Sequence, residues 1–266
     1  MNLTRRIPQS LLILAVLILT ALPVSARIVK SRPSAAYTPL GGTPGIWSPL
    51  YSFVIGSGVE FQQDREKTEL GLPILVEYNF TERFKLTLEP KFARIIARSP
   101  DVRSVSGLAD FETLMAYEFL RERRYRPAFS VEGGVRWPTA SDPDLGERGR
   151  DYSIGLIASK DLVFVDVDLN VRYTAVGDRA RNNTVEASLA VEWHVSRYVD
   201  LIGEVANVSR LGSLRGDGTG DRHETEATVG FAWHITKTLK FEQGVVFKEH
   251  GQREFVVAWE WSPGGD

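Results

Sequence analysis

The clearest chemical potential in this sequence lies in carboxylates and bases spaced two residues apart. Asp166 and Asp168 flank a valine, and Lys240 and Glu242 flank a phenylalanine. Residues two apart share one face of a β-strand but not one face of a helix. A strand face that carries many carboxylates can attract cations, as acidic rings do in pores.

Histidines are the next residues with chemical potential. The sequence has four histidines and no cysteine, so thiol nucleophiles, disulfides and cysteine zinc sites are excluded. His194 and His234 stand at equivalent positions just before short turns, whereas His223 and His250 lie in or beside longer loops. We therefore interpret the histidines as interfacial or loop residues.

A hydrolase site would need a serine and a histidine on one face. His223 with Ser209 or Ser213 is the pairing to consider, but no motif or spacing supports it. The two aspartates of residues 217–221 suggest a calcium loop, yet the full ligand series is missing. The sequence predicts no catalytic residue, no cofactor and no metal, and hence a protein that is not an enzyme.

Alternation of apolar and polar residues reveals the elements that position the charges. From about residue 50 onward the chain alternates in stretches of roughly ten residues, a pattern typical of transmembrane β-barrels. In residues 163–173, valines, a leucine and a tyrosine occupy one face, and aspartates, an asparagine and an arginine occupy most of the other. Residues 185–193 and 254–261 repeat the pattern.

Connections of two kinds separate these stretches. Short ones are predicted near residues 80–83, 121–125, 160–162, 196–198 and 236–238. Longer charged or Gly/Pro-rich ones are predicted near residues 62–68, 99–106, 138–150, 177–183, 210–221 and 249–252. Five turns and six loops join about twelve strands, with ten and fourteen as alternatives. Such a barrel places both termini in the periplasm.

The predicted fold is therefore all-β: a transmembrane, antiparallel, up-and-down β-barrel over residues 50–262, with a short tail at residues 263–266. An aromatic residue recurs just before several turns, as in Trp193 and Trp233, which suits the membrane interface. The alternative is a soluble periplasmic β protein that binds lipid. That alternative requires the apolar strips to be buried against another layer.

The N-terminal part has a different character. Arg5 and Arg6 precede an apolar run over residues 11–22, which ends in Val-Ser-Ala at residues 24–26. This arrangement predicts a secretory signal peptide over residues 1–26, and the run is short of the roughly 20 residues needed to span a bilayer. Prolines and glycines in residues 27–49 forbid a regular strand, so we expect a periplasmic arm or a plug there.

The overall charge of the chain limits the kinds of molecule that it is expected to bind. Lys+Arg number 32 and Asp+Glu number 34, so nothing predicts a nucleic-acid surface. The apolar fraction of 43% is too high for disorder. We expect the partners to be the outer-membrane lipid bilayer of a Gram-negative bacterium, the barrel-assembly machinery and an unidentified small solute.

If the apolar faces meet lipid, the opposite faces point into the barrel, and parity identifies the residues there. The predicted lumen-lining residues are Asp110, Glu112, Arg136, Asp166, Asp168, Arg172, Glu186, Glu192, Glu204, Glu224, Glu226, Lys240, Glu242, Glu254 and Glu260. Two interpretations stay open: an acid-lined channel for cations or neutral polar solutes, and a closed barrel braced by ion pairs. An aromatic anion fits such a lumen poorly.

Five short motifs occupy the central third of the chain, at residues 106–111, 133–139, 151–153, 158–161 and 173–178. They resemble the MetA-pathway of phenol degradation family, with its G-L-x-D, G-x-K-x-P-T-G, D-Y-S and Y-x-x-x-G-D patterns. Trp137 precedes the proline here, and Ala140 stands where the family has glycine. The resemblance implies an outer-membrane barrel linked to uptake or export of small, often aromatic compounds. We expect passage of small molecules, with a closed structural or surface-binding barrel as the alternative.

Overall fold

The structure, a computed structural model, describes residues 53–63, 66–100, 102–147, 149–178, 181–211, 223–249 and 252–263. These ranges contain fourteen β-strand segments. They are β1 (Phe53–Gln63), β2 (Lys67–Thr81), β3 (Phe84–Glu89), β4 (Lys91–Ala97), β5 (Val105–Leu108), β6 (Phe111–Leu120), β7 (Ala128–Trp137), β8 (Asp151–Asp161), β9 (Val165–Ala175), β10 (Asn183–His194), β11 (Val199–Leu211), β12 (His223–His234), β13 (Leu239–Phe247) and β14 (Arg253–Trp261). No helix in these ranges is long and apolar enough to cross a membrane.

The strands form one closed antiparallel barrel. The sheet closes because β1 pairs with both β2 and β14. Segments β3 and β4 both pair with β2, and they pair in turn with β6 and β5. Each of these couples, β3 with β4 and β5 with β6, is therefore a single barrel strand with one interruption. The fourteen segments make twelve barrel strands, which confirms the predicted fold and strand number.

Both interruptions occur at one place in the barrel wall. Pro90, which has no N–H to donate, separates β3 from β4, and Ala109 with Asp110 separates β5 from β6. The ladder continues across the gap, because Ile74 N–H donates to the Pro90 carbonyl at 2.9 Å and Ala109 N–H donates to the Lys91 carbonyl at 2.8 Å. The gap frees the Asp110 side chain to bind a neighbouring loop.

The two ends of the barrel carry different connections. One end, the turn end, has the connections at residues 82–83, 121–127, 162–164, 195–198 and 235–238. The other, the loop end, has those at residues 64–66, 98–104, 138–150, 176–182, 212–222 and 248–252. This alternation is as predicted. The first loop is shorter than expected, because the ladder between β1 and β2 continues to the pair Gln63 and Thr68.

One strand start differs from the alternating pattern. We expected Val163 in a strand, but β9 begins at Val165. Val163 has a φ of 76°, in the left-handed region that β-branched residues rarely occupy. Its N–H donates to the Asp161 carboxylate at 2.6 Å. The tight turn between β8 and β9 therefore overrides the apolar pattern at this residue.

Side chains alternate between the two faces of the wall. Outward residues such as Leu156, Val229 and Trp193 are more than half exposed, whereas Ala232 and Val256 on the inner face are buried. The aromatic residues that precede turns, including Trp233, lie on the outer surface. The wall is thus apolar outside, as a lipid-facing barrel requires.

Several predicted features lie outside the described residues. They are the signal peptide (1–26), the arm or plug (27–49), the acidic glycine-rich loop (217–221), Ser213, His250 and most of the tail (263–266).

Candidate functional site

Many charged side chains point into the interior of the barrel. Five of them illustrate the pattern, because Glu77, Lys85, Glu132, Asp200 and Glu242 each expose 5% or less of their surface. Burying a charge is costly unless a partner or water solvates it. The positions of the inner charges and their partners therefore determine which parts of the interior are filled by ion pairs and which can hold water or a solute.

The predicted lumen-lining residues divide into three levels along their strands. Near the turn end lie Asp166, Glu192, Lys240, Glu242 and Glu260. Midway lie Asp168, Arg172, Glu186, Glu204 and Glu226. Near the loop end lie Asp110, Glu112, Arg136, Glu224 and Glu254.

The turn end is packed with buried ion pairs. The Lys240 ammonium contacts the Glu242 carboxylate and lies 3.7 Å from that of Glu260. A second buried pair joins Lys85 to Glu77 at 2.8 Å. Removing one partner from such a pair leaves an uncompensated buried charge, so these residues hold this part of the barrel together.

Two histidines share one carboxylate at the same end. His194 Nδ1 lies 2.8 Å from Asp200 Oδ1, and its Nε2 lies 3.2 Å from Asp166 Oδ2. His234 Nε2 contacts the other Asp200 oxygen. Sequence reasoning placed both histidines at the turns but missed their convergence. The available signal was parity, because His194 shares a face with Glu192 and pairs in register with Asp200.

The middle level has an arginine on one side and several carboxylates on the other. Arg172 donates to Glu132 at 2.6 Å. Gly155 stands between these two residues in the sheet register. Farther round the wall, Glu204 lies within electrostatic reach of Glu186 and of the neighbouring Asp168 and Glu226. This group forms an acidic stripe on β9 to β12.

Among the described residues, cavities lie near the loop end. The larger has a volume of about 490 Å³ and is lined by acids and bases that include Glu60, Lys91, Glu112, Arg136 and Glu254. The smaller has a volume of about 220 Å³ and is lined mainly by polar side chains, including Arg172, Arg181, Arg210 and Glu186. The described part of the loop end therefore encloses polar space rather than a packed core.

One loop folds over the larger cavity. The Asp110 carboxylate accepts hydrogen bonds from the Ala140 N–H at 3.1 Å and the Glu147 N–H at 2.6 Å. Ser141 packs so closely on Gly107 that a Cβ there would lie 1.9 Å from its hydroxyl oxygen. Loop 138–150 is thereby fixed to the barrel wall. Asp110 lines the cavity and also holds this loop.

Further ion pairs also fix this loop. Arg103 contacts Asp142 at 2.5 Å and Asp144 at 3.0 Å, and Arg181 contacts Glu147. The pKa of Arg103 is raised above its ordinary value, chiefly by its hydrogen bond to Asp144.

Residues from four of the five motifs behind the family resemblance lie at or next to this loop, whereas residues 158–161 end β8 at the turn end. Thr139 Oγ1 accepts a hydrogen bond from the Phe111 N–H at 3.0 Å, and Asp151 Oδ1 accepts one from the Gly177 N–H at 2.9 Å. Gly149 packs directly on the Gly177 backbone. These contacts connect the loop to the neighbouring strands, so the motif residues that make them have a structural role.

Ser209 and His223 do come together, as one predicted pairing allowed. The Ser209 hydroxyl lies 2.9 Å from His223 Nδ1. Both residues alternate with the inward Val208 and Glu224, so they lie on the outer face near the loop end. Among the described residues no carboxylate contacts the His223 ring, so the orienting group of a catalytic triad is missing there.

Comparisons with known proteins agree with this architecture. No protein-family model and no curated protein matches the chain. Among solved structures, an outer membrane channel from Pseudomonas putida F1 is similar, with a TM-score of 0.63 and 16% identity over 81% of this chain and 96% of that one. The NanC porin matches with a TM-score of 0.56 and 9% identity over 78% of this chain and 98% of its own.

The KdgM porin in complex with disordered oligogalacturonate gives a TM-score of 0.53 and 16% identity over 78% of this chain and 98% of its own. At these identities the likeness shows a shared fold, that of porin-like outer-membrane barrels.

Proposed function

We propose that this protein is an outer-membrane channel for the passage of small polar molecules. The observation that carries the proposal is a closed barrel that is apolar outside and charged inside, with a cavity of about 490 Å³ open at the loop end. Charged inner faces and lipid-facing apolar faces are characteristic of barrels that enclose water. The similar solved structures are channels and porins, which supports the same conclusion.

The location and partners follow from this proposal. A signal peptide over residues 1–26 directs export, and the barrel-assembly machinery inserts the chain into the outer membrane of a Gram-negative cell. Both termini then face the periplasm, the turn end lies on that side, and the loop end faces outward. Residues 27–49 form an arm on the periplasmic side or a plug.

Cations and neutral polar molecules are the proposed solutes. The proposed lumen set has twelve carboxylates and three bases, and an excess of carboxylates attracts cations. The acidic stripe on β9 to β12, with Glu186 and Glu204, provides the path. A neutral phenolic compound fits the family resemblance, whereas an aromatic anion would meet repulsion.

A catalytic role is not part of the proposal. The Ser209 and His223 pair is exposed on the outer face and has no orienting acid among the described residues. A soluble lipid-binding protein is also disfavoured, because the outward apolar strips stay exposed in the structure.

Single-channel conductance in a planar bilayer tests the channel. Heat-modifiable gel mobility first establishes that the barrel is folded. We expect steady cation-selective steps, and Glu186→Gln should lower the cation preference. Glu82→Gln is the matched control, since Glu82 lies in a turn outside the lumen with 61% of its side chain exposed.

The second candidate is a closed structural or surface-binding barrel. The buried pairs of Lys240 and Lys85 at the turn end favour it. A folded barrel that passes no current and no solute would overturn the channel and support this candidate.

A further inference from the structure

We propose that the turn end of the barrel holds a site for a divalent transition-metal cation of the Zn²⁺ type. Glu192, His194, Asp200 and His234 are the proposed ligands, and Asp166 is a positioning residue. The proposal does not depend on whether the barrel conducts.

Four neighbouring strands bring these residues together. His194 and Asp200 pair in register across the turn between β10 and β11, and Glu192 pairs with Asp166 between β10 and β9. His234 is the last residue of β12. Strand pairing thus fixes the backbone of every member on a rigid wall, which suits a metal site better than a loop does.

The side-chain geometry places donor atoms close together. One ligand atom each from Glu192, His194 and Asp200 lies within 4.8 Å of the others. His194 Nδ1 is 2.8 Å from Asp200 Oδ1, and His234 Nε2 contacts Asp200 Oδ2. Ligand atoms around a tetrahedral Zn²⁺ lie roughly 3.3–3.5 Å apart, given bond lengths of about 2.0–2.1 Å. The atoms of Glu192, His194 and Asp200 are already near that spacing, and His234, which contacts the other oxygen of Asp200, must turn toward them to complete a set of four.

Asp166 has the position of an orienting carboxylate. His194 Nε2 lies 3.2 Å from Asp166 Oδ2, on the opposite side of the ring from Asp200. Metal-binding histidines commonly donate their second N–H to a carboxylate, which fixes the tautomer and leaves the other nitrogen for the metal. The second oxygen of Asp166 is buried and lacks a hydrogen-bond partner among the described residues, so the site also has unused donor capacity.

The charge balance leaves room for a dication. The Lys240 ammonium contacts Glu242, lies 3.7 Å from the Glu260 carboxylate and interacts with Glu192. Lys85 is paired with Glu77. Glu192, Glu242 and Glu260 interact with Lys240, and Glu192 interacts in turn with Asp166 and Asp200, so the carboxylates of this group outnumber its one ammonium among the described residues. A divalent cation would offset part of this excess and bind both imidazoles in their neutral form.

The ligand types select the class of metal. Two imidazole nitrogens with carboxylate oxygens suit Zn²⁺ and its neighbours among the transition metals. Calcium and magnesium prefer oxygen ligands alone, in larger numbers or in octahedral geometry. We therefore expect selectivity for Zn²⁺ over Mg²⁺.

Calorimetric titration with ZnCl₂ tests the site. The detergent-purified protein is stripped with a chelator, its folding is checked by heat-modifiable mobility, and ZnCl₂ or MgCl₂ is added at pH 7.5. We expect saturable 1:1 binding of Zn²⁺ and none of Mg²⁺. Both His194→Ala and His234→Ala should abolish saturable binding, and Asp166→Asn should weaken it roughly 10–100-fold. His223→Ala is the matched control, an exposed histidine at the loop end that should leave binding unchanged.

A spectroscopic readout separates coordination from stabilisation. Co²⁺ in place of Zn²⁺ should give the intense visible absorption of a tetrahedral site in the wild-type protein and in His223→Ala, but not in His194→Gln. Absence of saturable Zn²⁺ binding, or binding that is lost in His223→Ala, would overturn the proposal. The cluster would then be two imidazoles hydrogen-bonded to carboxylates without a bound metal. Neither readout uses conductance. A negative result in either of them would therefore contradict the metal site and leave the proposed channel function untouched.

Discussion

At the turn end, the side chains of Lys85, Lys240 and Glu242 are 6%, 7% and 2% exposed, whereas at the loop end those of Arg136 and Lys91 are 38% and 40% exposed. The same kinds of ion pair therefore occur in two environments within one barrel. A buried pair that loses one member leaves a costly unpaired charge, whereas an exposed pair contributes little.

The contrast assigns different tasks to the two ends. The loop end has cavities lined by long charged side chains, and in the proposed channel this end admits the solute. The turn end has packed pairs around Lys240 and Asp200, and in the proposed channel we expect this end to limit passage. Four changes test this division, beginning with the largest expected effect.

Lys240→Met should have the largest effect. It leaves Glu242 and Glu260 without their cation in a buried setting, and we expect a loss of about 3–5 kcal/mol in the free energy of unfolding. Urea unfolding in lipid vesicles measures this loss. Arg210→Met is the loop-end control, because the pair of Arg210 with Glu224 is 45% exposed on both sides, and it should cost about 0–1 kcal/mol. Equal losses in the two variants would contradict the difference between buried pairs at the turn end and exposed pairs at the loop end.

Arg172→Met tests the middle of the barrel. Its charged hydrogen bond to the buried Glu132 at 2.6 Å predicts a loss of about 1.5–3 kcal/mol. Arg136→Met should cost less, because Arg136 lies 3.8 Å from Glu112 and 3.6 Å from Asp151 in a more exposed setting, but it should raise the cation preference of a conducting barrel. A larger loss of unfolding free energy in Arg136→Met than in Arg172→Met would show that the stabilising ion pairs lie at the loop end.

Asp110→Ala tests the folded loop. Losing the acceptor for the Ala140 and Glu147 N–H groups should cost about 1 kcal/mol and release loop 138–150. Hydrogen exchange at the Glu147 amide should accelerate, while exchange within β13 stays unchanged. Unchanged exchange at Glu147 would show that the Arg103 pairs suffice to hold the loop.

Glu82→Gln should have the smallest effect and a defined pH dependence. The Arg121 guanidinium holds the pKa of Glu82 below its ordinary value, first through a hydrogen bond and then through its charge. The stabilisation is therefore present above the ordinary pKa of the group and is lost as pH falls through the lowered value. This pair lies at the turn end but is exposed. A large effect of the substitution on unfolding at pH 7 would therefore show that the position of an ion pair in the barrel, rather than its burial, determines how much it stabilises the fold.

Much of the fold could be predicted because period-two alternation is a local property. Residues 185–193 and 254–261 showed their faces directly, and the predicted turns fell where the strands end. Val163 was misplaced because its apolar side chain fits the pattern while its backbone serves a turn. The break at Pro90 was also missed, since no periodicity marks where a ladder opens.

The candidate site was only partly predictable. Parity identified the carboxylates and bases such as Glu192 and Lys240, but not their partners, because strand register and barrel closure decide which inner side chains meet. His194 and Asp200 are six residues apart and their contact could have been found from the hairpin register. The contact of His234 with Asp200 spans 34 residues and requires β11 and β12 to be placed side by side.

The sequence by itself determined an antiparallel barrel with an apolar exterior, a charged interior and alternating turns and loops, because these follow from the order of residues along each strand. The tertiary structure decided that the turn end is packed with buried pairs while the loop end stays open. It also decided that a break at Asp110 receives loop 138–150 and that two histidines converge on Asp200. Contacts across the lumen and between distant strands depend on closure of the sheet, which no local pattern encodes.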